Sequence, residues 1–314
     1  MDGAVWFTTL DLRSGYHNIP IREDDSDKTA FVTRRGCFRY KVLPFGCTTA
    51  HSVFQRLMDL VLCGLTYMNC LVYLDDIIVY AKDFDTHLLR LQEVFERLHV
   101  ANLKLHAGKC CFFQRRVAFL GHVLSEFGIE VQKDEIATVR DWPTPRNLKE
   151  LRSFLGLCSY YRRFVAGCAD ITAPLYTLQK KTVAFVWTEV QDEAFTRLKQ
   201  VLTSAPVLSM PTDTGTFYMD TDASDVGLGV VLSQDHNGIE VVIAYASTAL
   251  TKAERNYDVT RRELLAVVFG MNTFKCRPGS TFLSLGRSRS FAMVAANFRV
   301  DASASKMVDI RRTI

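Results

Sequence analysis

Leu71-Val72-Tyr73-Leu74-Asp75-Asp76-Ile77-Ile78-Val79-Tyr80 sets two adjacent carboxylates between two apolar, β-branched runs. Two such runs around a polar pair predict a tight β-hairpin with the acids at its turn. Asp is common in plain turns, so a turn role and a chemical role are both open here. A third acid, Asp11, ends the alternating segment Trp6–Leu10, where Trp6, Thr8 and Leu10 face away from Phe7 and Thr9. Carboxylates beside apolar strands are costly unless a cation or an open strand end receives them. Strand alternation lets one acid of the pair face Asp11 more directly than the other. Carboxylates sharing a face repel, and magnesium, a hard ion with oxygen ligands, is the natural counter-charge.

Outward from this centre, residues 1–45 read as strands and turns. Ala50, Val53, Phe54, Leu57, Met58 and Val61 follow helical spacing, with Thr48 or Thr49 as N-cap. Thr86 is the expected cap of a helix with the face Leu88, Leu91, Val94, Phe95 and Leu98, and Val117–Val123 alternates as a strand. Trp142-Pro143-Thr144-Pro145 cannot continue a helix. Asn147 and Glu150 form a capping-box pattern for the next helix, and another helix is expected over 191–202. Strands are expected over 216–222 and 227–233, with a helix over 262–274. After Ser280 no period persists.

The 314 residues, 48% hydrophobic, suffice for two or three packed domains. No apolar run is long enough to span a bilayer, and Met1-Asp2-Gly3 opens no secretory signal, so an intracellular protein is expected. The nine cysteines form no Cys-x-x-Cys pair and read as reduced core residues. The tail from Arg287 holds six basic and two acidic residues, which accounts for the whole net charge of +4. Global charge is therefore no nucleic-acid signal, although a local basic groove is compatible with it.

Six segments together carry a specific resemblance. Phe7-Thr8-Thr9-Leu10-Asp11-Leu12-Arg13-Ser14-Gly15-Tyr16-His17 resembles motif A of the reverse transcriptases of Gypsy-type long-terminal-repeat retrotransposons. Leu43-Pro44-Phe45-Gly46 leading to Phe54-Gln55 resembles motif B, and Tyr73-Leu74-Asp75-Asp76 the Tyr-x-Asp-Asp box. Asn102-Leu103-Lys104-Leu105 with Lys109-Cys110 resembles motif D, Phe119-Leu120-Gly121-His122 the primer grip, and the stretch from Leu148 to Phe164 the thumb. Further on, Phe217–Ser224, Gly227-Leu228-Gly229 and Arg262–Val267 resemble a retroelement ribonuclease H.

The resemblance implies an α+β fold: a reverse transcriptase palm and helical thumb followed by an incomplete, mixed-sheet ribonuclease H-like domain. It implies a palm with partial fingers over 1–125, a thumb or connection over 126–182, a truncated ribonuclease H-like domain over 183–280, and an unrelated, disordered tail over 281–314. It implies that Asp11, Asp75 and Asp76 hold two Mg2+ ions, with Asp76 pointing less directly inward. Tyr16 would exclude a ribose 2′-hydroxyl. Phe45 and Gly46 would line the nucleotide pocket, Lys109 would give a proton to pyrophosphate, and Leu120, Gly121 and His122 would grip the primer. Asp222 and Glu263 match two metal-binding carboxylates of ribonuclease H, with Asp220 as a weaker neighbour. The implied partners are an RNA or DNA template–primer and deoxynucleoside triphosphates.

Departures qualify the match. Most of the fingers are expected to be missing, with a remnant at Lys28–Phe31 and Arg34-Arg35; a partner or longer polyprotein would supply the rest. Asn18, Thr49 and His51 replace the usual Gln, Asn and Pro. No strand bearing a third ribonuclease H aspartate is expected past Lys275. The leading reading is an RNA-directed DNA polymerase, an enzyme by descent. The alternative is an inactive remnant that at most binds nucleic acid. A palm-like nucleotide cyclase shares the paired carboxylates but leaves motif B and the Asp222–Glu263 pair unexplained.

Overall fold

The apolar run after Asp76 becomes β5 (Asp76–Ala81), buried from Ile77 to Ala81. Burial on both faces is the physical meaning of its unbroken β-branched sequence. It pairs antiparallel with β1 (Trp6–Asp11), placing Asp11 opposite Asp76, and with β4 (Cys70–Tyr73). With β6 (Cys111–Gln114) the order is β4-β5-β1-β6. This computed structural model describes residues 1, 3–212, 214–274, 281–286 and 298–299. The chain divides into two units, Met1–Glu126 and a second beginning at Phe127.

In the first unit, α2 (Ala50–Val61) and α3 (Phe84–Val100) supply Phe54, Met58, Leu91, Val94 and Leu98 to a core shared with Leu10, Ile77 and Val79. Their spacing of three and four residues puts these side chains on one face. The N-cap of α3 is Asp83, whose carboxylate accepts from the Thr86 amide at 2.8 Å; Thr86 lies inside the helix rather than capping it. Residues 1–45 are not all strand and turn. A 3-10 turn covers Gly15–Asn18, and α1 (Glu23–Ser26) runs into another, because Glu23, Asp24 and Asp25 favour a helical first turn. β2 (Phe31–Thr33) and β3 (Gly36–Phe38) form a separate, exposed hairpin. The expected single strand over 117–123 is instead a hairpin of β7 (Arg116–Phe119) and β8 (His122–Ser125), turned by Leu120 (φ 47°) and Gly121 (φ 71°).

The second unit opens with β9 (Gly128–Val131), α4 (Lys133–Arg140), α5 (Leu148–Tyr160), α6 (Cys168–Thr177) and α7 (Glu189–Thr203). Asn147 caps α5, accepting from the Glu150 amide at 3.0 Å, while the Glu150 carboxylate accepts from Arg146 N at 2.8 Å. Leu151, Phe154, Leu175, Phe195 and Leu198 pack into one core, so α7 packs with the preceding helices. β10 (Phe217–Ala223), β11 (Gly227–His236) and β12 (Ile239–Ala249) form an antiparallel meander covered by α8 (Val259–Thr273). Gly270 lets α8 approach, since a Cβ there would lie 2.6 Å from Met219 Sδ.

One expectation is corrected at Ser280. The segment beyond it forms β13 (Thr281–Gly286), parallel to β10 with Thr221 opposite Gly286, and β14 (Phe298–Arg299) pairs with it in turn. Backbone pairing with β10 outweighs the weak side-chain pattern that had argued against a strand. β13 carries no carboxylate. The remainder of the expected tail, 287–297 and 300–314, lies outside the described residues.

Candidate active site

The β1–β5 ladder ends on acids. Leu74 takes a left-handed conformation (φ 54°) to close the β4–β5 turn, and its amide donates to Gln55 Oε1 of α2 at 2.8 Å. The Asp75 carbonyl accepts from Leu12 N at 3.1 Å, fixing the turn against the end of β1. Lys109 Nζ donates to Asp11 Oδ2 at 3.3 Å, and the Asp11 carbonyl accepts from His106 N at 2.8 Å. Three chain segments, far apart in sequence, are therefore fastened around Asp11.

A cavity of about 430 Å³ opens here, lined by Asp11 to Tyr16, Phe45, Phe54, Asp75, His106 and Lys109. Asp11 and Asp75 thus share one wall system with Tyr16, Phe45 and Lys109. Gly46 is not among the lining residues; with φ +92° it turns the chain behind Phe45. Asp76 is not among them either, but faces Asp11 across the ladder. The Tyr16 ring meets Phe45, Phe54 and His51 edge-on at 5.2, 5.4 and 5.6 Å between centroids. Gly15 allows this packing, because a Cβ there would sit 2.7 Å from Phe54 Cζ. Leu120 and Gly121 form the β7–β8 turn and His122 opens β8, with His122 Nδ1 2.7 Å from the Leu120 carbonyl; none of the three lines the cavity.

The electrostatics describe a crowded anionic centre. Burial holds the Asp76 carboxyl above the usual range, the charges of Asp75 and then Asp11 push it further, and Lys109 opposes them. Burial, then the Asp75 and Tyr73 charges, raise the Tyr16 phenol. A divalent cation would relieve this repulsion, so the donor set fits magnesium in charge and hardness. Among the described residues no three acidic, His or Cys side chains are gathered tightly enough to enclose a metal, and Lys109 supplies a positive charge 3.3 Å from Asp11.

In the second unit, burial and then the Asp222 charge raise the Glu263 carboxyl, while Arg262 opposes them, so the helix acid senses the charge of the strand acid. Asp220 is two residues back on the same strand. Ser224 and Asp225 anchor Arg262 beside the pair.

Residues 1–124 match the family described as "Reverse transcriptase (RNA-dependent DNA polymerase)", and residues 187–277 match "RNase H-like domain found in reverse transcriptase". The chain belongs to the retroelement reverse transcriptases. Curated relatives of this reverse transcriptase include the retrovirus-related Pol polyprotein from transposon opus of Drosophila melanogaster. It is 37% identical over 286 residues, covering 88% of this chain and 28% of the relative. The transposon Tf2-3 polyprotein of Schizosaccharomyces pombe is 38% identical over 269 residues, covering 85% and 20%. The chain thus spans about a quarter of the length of the curated relatives it matches. Among solved structures, the foamy viral protease-reverse transcriptase in complex with RNA/DNA hybrid matches with TM-score 0.77 at 24% identity, covering 90% of this chain and 38% of that one. A second structure of that enzyme, dRH in complex with double-stranded DNA, matches with TM-score 0.80, covering 90% and 50%. At that identity the likeness establishes the α+β fold alone.

The sequence reading of this reverse transcriptase left Gln55 and His106 without a role. Gln55 was visible only as the end of motif B, and its hold on the Leu74 amide depends on α2 packing beside the turn. His106 lines the cavity because its own amide is tied to Asp11.

Proposed function

We propose that the first unit carries RNA-directed DNA polymerisation of a Gypsy-type long-terminal-repeat retrotransposon. The observation supporting this most directly is that Asp11, Asp75 and Tyr16 line one cavity. Asp11 and Asp75 are assigned as magnesium ligands, with Asp76 supporting them from the ladder. Two bound Mg2+ ions would supply activation of the primer 3′-hydroxyl and neutralisation of the leaving pyrophosphate. The protein's own contribution is positioning. The hairpin and the Gln55 bond hold Asp75 rigidly. The Tyr16 ring, braced by Phe54 and Phe45, is assigned to exclude a ribose 2′-hydroxyl. Lys109 is assigned to give a proton to pyrophosphate, and the Leu120-Gly121-His122 segment to the primer backbone. The substrates are a template–primer and deoxynucleoside triphosphates, in an intracellular setting, with a longer polyprotein or partner completing the fingers.

Primer extension with magnesium tests the reading, using the chain alone and a version extended with fingers. Asp75→Asn should lower extension at least about 100-fold while folding persists. Extension near the parental level in that variant would overturn the assignment. The second reading, a remnant that only binds nucleic acid, is favoured by the lack of a gathered three-carboxylate set among the described residues. Binding without extension, even with fingers supplied, would establish it. For the second unit, Asp222 and Glu263 are assigned as half of a ribonuclease H metal set.

A further inference from the structure

Tyr16 is held by more than the two phenylalanines at the cavity. Its ring also meets the His51 imidazole edge-on at 5.6 Å between centroids. His51 lies in the first turn of α2, three residues before the buried Phe54. That spacing puts both rings on one helix face, and Tyr16 meets both. Neither His51 nor Asn18 lines the cavity. The imidazole therefore touches the tyrosine ring from outside the substrate space. The backbone under the ring is held as specifically. Tyr16 sits in the 3-10 turn Gly15–Asn18, entered through Ser14 in a left-handed conformation (φ 52°), and the Ser14 side chain gives that turn no cap. Left-handed backbone at a residue other than glycine persists only where its surroundings over-determine it. Asn18 supplies that hold, because its Nδ2 donates to the carbonyls of Gly15 at 3.2 Å and of Ser14 and Arg13 at 3.3 Å. Asn18 and His51, each a departure from the family pattern, thus converge on one side chain.

We infer that Asn18 and His51 are positioning residues for Tyr16 and set how strictly the site separates deoxyribose from ribose. The inference rests on the proposed polymerase reading, in which Tyr16 excludes the 2′-hydroxyl. A ring excludes a hydroxyl only as well as the ring itself is held, since a side chain free to turn aside yields to the added atom. Phe54 is fully buried and fixes one side of Tyr16, whereas Phe45, 66% exposed, offers a weaker wall. His51 adds a third edge, and Asn18 fixes the backbone from which the ring projects. An edge-on ring contact contributes modestly by itself, so its removal loosens the selection rather than abolishing it.

The test measures kcat/KM for a deoxynucleoside triphosphate and for the matching ribonucleoside triphosphate in primer extension, by the chain alone and by the version extended with fingers. His51→Ala should lower the deoxy-to-ribo ratio about 3- to 10-fold, chiefly through a lower KM for the ribonucleotide. His51→Phe keeps a ring edge and should restore the ratio. Asn18→Ala removes the donor and should lower the ratio by about the same factor. Circular dichroism checks that each variant folds. A ratio unchanged in both alanine variants, or equal falls in kcat for the two nucleotides, would overturn the inference and leave the polymerase reading intact. Fluorine NMR of the chain labelled with fluorotyrosine reads the contact without turnover. The Tyr16 signal, assigned by its loss in Tyr16→Phe, should shift in His51→Ala and in Asn18→Ala; an identical signal in every variant would show that neither residue holds the ring. Extension of neither nucleotide by wild type in either form would sink the polymerase reading and the selectivity role together, with the Tyr16 signal still showing whether the ring is held.

Discussion

Asp11 stands directly opposite Asp76 across the β1–β5 ladder, and Lys109 reaches Asp11 Oδ2 at 3.3 Å. Two acids at paired positions would ordinarily destabilise a sheet end. Here a cation from a distant 3-10 turn offsets part of that repulsion. The arrangement is electrostatically poised, and its parts can be varied one at a time.

Asp76 has its pKa raised by burial, then by Asp75 and Asp11. Above the unfolded value of 3.8 the native state holds the proton longer than the unfolded chain, so stability falls as pH rises through the shifted range. The penalty is fully present above that range. Asp76→Asn should therefore raise Tm at pH 7, by about 2 °C given partial solvent screening. A lower Tm at pH 7, measured by thermal circular dichroism, would refute the repulsion account.

Lys109→Met removes the cation that opposes the Asp76 shift. The Asp76 carboxyl should then titrate at higher pH than in wild type, as followed by carbon-13 NMR of labelled aspartate. An unchanged Asp76 titration would mean that Lys109 does not act at this centre.

His87 is buried, with Nε2 at 2.7 Å from Thr8 Oγ1 and Nδ1 without a partner. Burial, then Arg90, depress its pKa. The neutral ring suits the core, so its contribution is present above the unfolded pKa of 6.5 and is lost as pH falls through the lower folded value. Melting temperatures from pH 8 to 5 should decline on the acid side for wild type and decline less for His87→Phe. Equal slopes would remove His87 from the acid response.

Gly15→Ala places a methyl 2.7 Å from Phe54 Cζ, and Phe54 is fully buried. The ring cannot withdraw without disturbing Tyr16, so a loss of about 1–3 kcal/mol is expected in urea unfolding. Gly270→Ala, whose methyl would meet Met219 Sδ at 2.6 Å, should cost a similar amount in the second unit. Wild-type stability in either variant would mean that the neighbours yield freely.

The Asp222 charge acts on Glu263, but β13, paired with the strand of Asp222, brings no carboxylate. Two ligands hold magnesium weakly and leave a two-metal hydrolysis site under-anchored. The chain should therefore leave the RNA of a labelled RNA–DNA hybrid uncut. Cleavage that disappears in Asp222→Asn would show that another residue completes the set.

Local period and local order were enough to specify part of this molecule. The β4–β5 hairpin was legible because two β-branched runs flank Asp75-Asp76, and α2 and α5 because their apolar spacing and cap positions sit within a few residues. Motif order was enough to point to the polymerase family and to nominate Asp11, Asp75 and Tyr16. Features that depend on partners distant in sequence emerged only in three dimensions. Lys109 meets Asp11 across 98 positions, and Gln55 holds the Leu74 amide across 19. Neither bond is written in a period. The α7 helix joined the core of α4 to α6 because its apolar face fits Phe154, which no boundary signal records. β13 formed after Ser280 because β10 offered an open edge of backbone donors and acceptors, and a strand can satisfy them with almost any side chains.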